Sequence, residues 1–132
     1  FIIRDHITSK LKEYEDRLHD LLNDTLAKYP TLQSSFVVKE QYRNMKEVLD
    51  QHPHVVRYAE QAIESCGLPV RKSKIRGGTD GSKLSFMGLP CPNVFAGEHA
   101  FHSPYEFVSV QDMESATDVI VKILELVALD HA

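Results

Sequence analysis

Ile75-Arg76-Gly77-Gly78-Thr79-Asp80-Gly81 is the stretch on which the reading of this chain turns. It follows Val70–Ile75, a strand candidate despite its lysines, and precedes Ser82–Phe86, which suits a short helix. A strand that feeds a glycine-rich turn and then a helix is α/β grammar. Three glycines in five residues let backbone approach a ligand closely. Exposed N–H groups, the Thr79 hydroxyl and the Arg76 guanidinium suit a carboxylate or a phosphate. The spacing is neither G-x-x-x-x-G-K-[ST] nor G-x-G-x-x-G, which excludes a P-loop and a dinucleotide fingerprint. The same spacing also serves a plain strand-to-helix turn whose glycines meet only backbone needs.

Downstream, Cys91–Phe95 reads as a short strand and Gly97–Pro104 as a loop. Ser109 with Asp112 three residues on forms a variant of the capping box. The helix behind it runs to about Leu129 and buries Met113, Ala116, Val119, Ile120, Ile123, Leu124 and Val127. Upstream, Pro53 suits the first position of a helix with Val55, Val56, Ala59, Ala62, Ile63 and Cys66 on its buried face. Gly67 closes that helix as its C′ residue. Asn44–Leu49 makes a helical turn. The order helix, strand, short helix, strand, helix predicts an α/β layer over residues 44–132.

The first third reads differently. Phe1–Arg4 and Ser35–Lys39 are strand candidates. Between them a helix is predicted from Thr8 to Tyr29, with Leu11, Tyr14, Leu18, Leu21, Leu22 and Leu26 on one stripe and Pro30 as its stop. Two strands and a helix make an α+β unit too small to stand alone. Composition shifts at Gln41–Met45, which divides the chain into residues 1–43 and 44–132. An apolar, β-branched run at Phe1-Ile2-Ile3 in place of a starting Met predicts a piece of a longer protein.

Fifteen Lys and Arg against 19 Asp and Glu give a net charge of −4 over 132 residues. With 42% hydrophobic residues this is an ordinary globular composition, which argues against disorder. No run approaches the roughly 18 apolar residues a membrane span needs. The basic residues are scattered among acids, which disfavours nucleic acid as a partner. Two cysteines, Cys66 and Cys91, make no disulfide framework and fit a reducing, cytoplasmic setting.

Gly97-Glu98-His99-Ala100-Phe101-His102-Ser103-Pro104 places two histidines and a glutamate within five residues. Histidines three apart in a loop between Gly and Pro point different ways, so spacing leaves either one as a metal ligand or as a structural hydrogen-bonder. His52-Pro53-His54 reads as a helix start, and His6, His19 and His131 carry no partner pattern. Arg4 suits an anion or an ordinary surface ion pair. The nucleophile elbow G-x-S-x-G and the zinc motif H-E-x-x-H are both absent from the sequence.

The run from Arg76 through Leu84-Ser85-Phe86-Met87-Gly88-Leu89-Pro90-Cys91-Pro92-Asn93 closely resembles the C-terminal part of the peptidase T family. These are cytosolic bacterial aminotripeptidases of the di-zinc aminopeptidase and carboxypeptidase superfamily. Phe1-Ile2-Ile3-Arg4-Asp5, Tyr42-Arg43-Asn44-Met45, His52-Pro53-His54 and His102 followed by Glu106-Phe107-Val108 resemble the family in the same order. The resemblance implies a fold in two parts. Residues 1–43 correspond to the end of an α+β lid that also forms a homodimer, and residues 44–132 to the last part of an α/β/α zinc-peptidase domain.

It also implies roles. His102 corresponds to a ligand of the second zinc, with Glu98 or a backbone carbonyl orienting its other ring nitrogen. Arg4 corresponds to the clamp on the C-terminal carboxylate of a tripeptide. Gly78 and Thr79, with Arg76 beside them, correspond to the turn that binds substrate backbone. Asn44 lies in a family motif without an assigned role. Relatives carry Gly-Gly-Tyr-Asn-Tyr-His where this chain has Gly97–His102, and the downstream Glu106-Phe107-Val108 match assigns the ligand to His102 over His99. The family's other zinc ligands and its general-base glutamate have no counterpart here, so the chain alone is expected to be inactive. A non-catalytic association module and a piece of a related zinc exopeptidase or deacylase remain the alternatives.

Overall fold

A computed structural model describes residues 1–75 and 77–131. In chain order the elements are α1 (Thr8–Leu26), α2 (Lys46–Leu49), α3 (Pro53–Ser65), α4 (Asp80–Phe86), β1 (Glu98–His99), β2 (Phe107–Val108) and α5 (Val110–Asp130). Among the described residues the chain is therefore rich in helix, with one small antiparallel sheet in which Glu98 faces Val108 and His99 faces Phe107.

The core lies between α3 and α5, the most extensive helix contact in the molecule. Ala59 and Ala62 of α3 and Ala116 and Val119 of α5 are its buried apolar residues. Three alanines keep the two helices close, since interaxial distance follows side-chain size at the crossing. Val119 is fully buried, which is worth about 1.5–3 kcal/mol relative to leaving its side chain in water.

Local signals set the ends of these helices. Pro53 occupies the first turn of α3, where its missing N–H costs nothing. Behind α3, Gly67 takes φ +72°. Its N–H donates to the Glu64 carbonyl (2.9 Å) and the Leu68 N–H to the Ile63 carbonyl (3.1 Å), the Schellman pair of bonds. At the start of α5 the Ser109 hydroxyl accepts from the Asp112 N–H (3.0 Å) and donates to the Asp112 carboxylate (2.6 Å).

Residues 1–43 pack less. α1 belongs to none of the substantial helix pairs, which are α3 with α5 and α2 with α3 and α4. It has no buried residue and no side-chain cap at Ile7. The predicted helix ends at Leu26, three residues early, in tight turns where Lys28 and Tyr29 donate to the Thr25 and Leu26 carbonyls. Asn44 ties this part to the rest. Its Nδ2 donates to the His6 carbonyl (2.9 Å) and its Oδ1 accepts from the Lys46 N–H (3.1 Å). Beside it the Thr8 hydroxyl donates to Glu47.

The strand expectations need correcting. Phe1–Arg4, Ser35–Lys39, Val70–Ile75 and Cys91–Phe95 are extended or irregular chain without ladder partners among the described residues. Their β-branched and aromatic residues suit a pleated surface, but a strand exists only when a second backbone completes its hydrogen bonds. The two strands that form lie instead within and after the predicted histidine loop.

Candidate functional site

The glycine-rich turn is held from two sides. Thr79 is the N-cap of α4, and its hydroxyl accepts from the Ser82 N–H (3.3 Å) and from Asn93 Nδ2 (3.2 Å). A hydroxyl oxygen has two acceptor lone pairs and one proton. Both acceptor positions are thus engaged, and the Thr79 O–H is left as a donor.

Gly78 lies against the Tyr42 ring so closely that a Cβ would fall 2.1 Å from its nearest carbon. Any other residue there would have to displace the ring. Buried Ser82 donates to the Arg43 carbonyl (2.6 Å), and buried Ser85 links the Gly81 carbonyl (2.7 Å) to the Cys91 N–H (3.0 Å). The Arg43 guanidinium sits 3.9 Å over the Phe86 ring. Residues 42–43 and 91–93 therefore hold the turn from both sides. Arg76, the predicted anion partner of this turn, lies outside the described residues.

The histidine segment is a hairpin whose arms are β1 and β2 and whose loop spans 100–106. His99 is committed to structure. Its Nε2 lies 3.1 Å from Asp112 Oδ2, and its ring stacks on Phe107 at 4.9 Å between centroids and 13° between planes. The Ser109 hydroxyl first, and His99 second, hold the Asp112 carboxyl below its ordinary value, because both stabilise the anion.

His102 is the opposite case. It is exposed, and among the described residues its ring makes no hydrogen bond. Its backbone has φ +65°, and Ala100 has φ +50°. A left-handed conformation costs a residue with a Cβ about 1–2 kcal/mol, so this corner is held by its surroundings. The His102 N–H donates to Glu106 Oε2 (2.9 Å), the Glu106 N–H to the Ser103 carbonyl (3.2 Å), and the Tyr105 N–H to the Ser103 hydroxyl (3.1 Å).

Among the described residues Glu98 makes no hydrogen bond to His102, and the Glu106 carboxylate acts on the histidine's backbone. Sequence reasoning passed over Glu106, Asn93 and Tyr42 as working residues, although each stands in a motif it quoted. The readable signal for Glu106 is a carboxylate four residues beyond a loop histidine.

Apolar grooves lie on two parts of the surface. One of about 310 Å³ runs beside the hairpin, lined by Phe95, Glu98, His99, Phe101 and Asp112 among others. One of about 240 Å³ lies where Phe1–Ile3 folds along Tyr14, Leu18 and Leu21 of α1. Neither is lined by Arg4, Gly78, Thr79 or His102. Arg4 is exposed next to Asp5, whose carboxylate accepts from the Ile7 N–H (2.8 Å) and the Tyr14 hydroxyl (3.2 Å). No hydrogen bond joins Arg4, the Gly78–Thr79 turn and the His102 loop among the described residues. Nor do three metal-ligating side chains converge anywhere among them.

Known proteins extend this picture. Proteins named Peptidase T from Clostridium perfringens (strain SM101, type A), Fusobacterium nucleatum subsp. nucleatum and Halothermothrix orenii are 44%, 46% and 45% identical over 128, 126 and 128 residues. These matches cover 97%, 96% and 97% of this chain but only 32%, 31% and 31% of the relatives. The chain thus spans about a third of the length of the curated relatives it matches. The sequence profile of peptidase family M20/M25/M40 matches residues 6–126, and the chain belongs to that family.

Proposed function

We propose that this chain supplies the second-zinc ligand and part of the substrate cradle of a cytoplasmic aminotripeptidase, in which residues 1–43 end a dimerising lid and residues 44–132 end an α/β/α catalytic domain. The observation that carries it is the division of labour in the hairpin. His99 is spent on Asp112 and Phe107, while the His102 ring is exposed and unbonded among the described residues. A neutral imidazole with a free ring nitrogen fits zinc. One imidazole does not hold the ion, and the remaining ligands must come from elsewhere in the enzyme.

A zinc pair, when bound, supplies a Lewis acid for the attacked carbonyl. The residues of this chain then do the following work. His102 donates a ring lone pair to the metal. The Thr79 O–H, whose acceptor positions are filled by Ser82 and Asn93, donates to a substrate carbonyl. Gly78 lets the turn seat against the Tyr42 ring, and the turn offers its backbone to the substrate. Arg4 clamps the C-terminal carboxylate of a tripeptide once the lid closes, with Arg76 beside the turn.

The test is activity with and without the other two thirds of a relative. The 132-residue chain with added zinc should hydrolyse tripeptides no faster than a metal-only blank. Joined behind the N-terminal two thirds of the Clostridium perfringens relative, it should hydrolyse them, and His102→Ala should lower kcat/KM by about two orders of magnitude. His99→Ala is the control and should keep most of the activity. Turnover by the isolated chain, or loss on His99→Ala with His102→Ala intact, would overturn the reading. A non-catalytic association module is the second reading, favoured by the exposure of Leu21, Ile120 and Leu124.

A further inference from the structure

We propose that Glu106 is a positioning residue, which fixes the direction of the His102 side chain by holding that histidine's backbone in its left-handed corner. This rests on the reading of His102 as a zinc ligand.

The backbone of the loop leaves the His102 N–H without a strand partner. The ladder ends at His99 on one arm and resumes at Phe107 on the other. The Glu106 carboxylate takes that N–H at 2.9 Å, an ionised acceptor on a backbone donor, which is the stronger kind of hydrogen bond. Glu106 is itself tied back, since its own N–H reaches the Ser103 carbonyl at 3.2 Å. It also precedes Phe107, whose ring stacks on His99, and His99 is fixed to the first turn of α5 through Asp112. The carboxylate is thus mounted on the arm that runs through β2 directly into α5, and it reaches over the loop.

At His102 a positive φ is disfavoured because the residue carries a Cβ. Without the Glu106 bond the corner can relax to negative φ. That swings the Cα–Cβ bond and with it the ring. A metal ligand must be held near its productive geometry, and partners that orient ligands typically contribute 10–100-fold to metal affinity. The role assigned to Glu106 differs from the usual one, in which a carboxylate holds the second ring nitrogen.

Two measurements test this. In the 132-residue chain, exchange of the His102 amide proton followed by NMR should be about tenfold faster in Glu106→Ala. It should return to near wild type in Glu106→Gln, whose amide oxygen still accepts, while the Ala116 and Val119 amides stay unchanged. Unchanged His102 exchange in Glu106→Ala overturns the proposal, and so does equal loss of protection at Ala116 and Val119 in both variants. In the same chain joined behind the N-terminal two thirds of the Clostridium perfringens relative, zinc affinity is read by chelator competition. Glu106→Ala should weaken one zinc site about tenfold or more, with Glu106→Gln restoring it. If His102→Ala weakens that site and Glu106→Ala does not, the positioning role fails alone. If His102→Ala leaves zinc affinity unchanged, or the joined wild-type protein holds no second zinc, the ligand reading fails and the positioning role with it.

Discussion

α1 and α5 are of nearly equal length, 19 and 21 residues, and each carries an apolar stripe at helical spacing. Their fates differ. α5 begins on a reciprocal Ser109–Asp112 cap and buries Ala116 and Val119 against α3. α1 begins on Ile7 without a side-chain cap, buries no residue and meets the rest of the chain at scattered points: the groove with the folded-back Phe1–Ile3, the Tyr14–Asp5 and Thr8–Glu47 bonds, and the His19–Phe36 ring contact. Periodicity specifies that a helix has an apolar face, but says nothing about what covers it. α3 stands in this chain to cover Ala116 and Val119 of α5, while Met113, Ile120 and Leu124, expected to be buried on the same stripe, stay exposed. For α1 no comparable partner stands among the described residues.

The comparison breaks most visibly at Val119. Val119→Asp places a carboxylate at a fully buried position facing α3, with no cation in the core to pair it. An uncompensated buried charge costs about 3–5 kcal/mol, a large share of the stability of a domain this size. Urea unfolding followed by far-UV circular dichroism should show the midpoint collapse. The same change at half-exposed Leu18 of α1 should cost much less. Equal losses at the two sites would erase the distinction between the helices.

A smaller effect is expected at the cap. Ser109→Ala removes the acceptor for the Asp112 N–H and should cost about 1 kcal/mol. The cap also gives the stability a pH dependence with a definite sign. The Asp112 carboxyl is held below its ordinary value in the folded chain, by the Ser109 hydroxyl first and His99 next. Its contribution is therefore complete above the unfolded value of about 3.8 and is lost as pH falls through the folded one. Urea midpoints recorded from pH 6 down to pH 2 should fall more steeply below about pH 4 in wild type than in Ser109→Ala. Parallel curves would show that the Ser109 bond does not lower this carboxyl.

What was legible in the sequence follows the range of the forces involved. The Ser109–Asp112 cap, Pro53 at the start of α3 and Gly67 behind it were readable because each acts within a few residues of itself. The short helix α4 was expected from Ser82 and begins two residues earlier at Asp80, because Thr79, read only as a ligand-facing hydroxyl, caps it. The four predicted strands were not secure, because Phe36, Val37 and their like state a preference that only a distant backbone can satisfy. β1 and β2 escaped notice because two residues each are too few to show a period. In the site, the expectation of His102 over His99 as ligand rests on the motif around it. The roles of Asn93 on Thr79 and of Tyr42 on Gly78 were not legible, since those contacts bridge 14 and 36 residues.

The smallest expected effect sharpens the comparison from the other side. Leu21 of α1 is 56% exposed, although it lines the groove with Phe1–Ile3. Truncating it to Ala removes little buried surface, and Ala is the better helix former by a few tenths of a kcal/mol. Leu21→Ala should therefore shift stability by less than about 0.5 kcal/mol, the range of ordinary surface changes. At a buried position the same truncation costs about 2–5 kcal/mol. The measurement is again the urea midpoint, repeated at low and high protein concentration. A loss above about 1 kcal/mol at both concentrations would mean that the α1 face is covered within one chain, and the contrast with α5 would fail. A loss that appears only at high concentration would place the covering surface on a second copy of the chain.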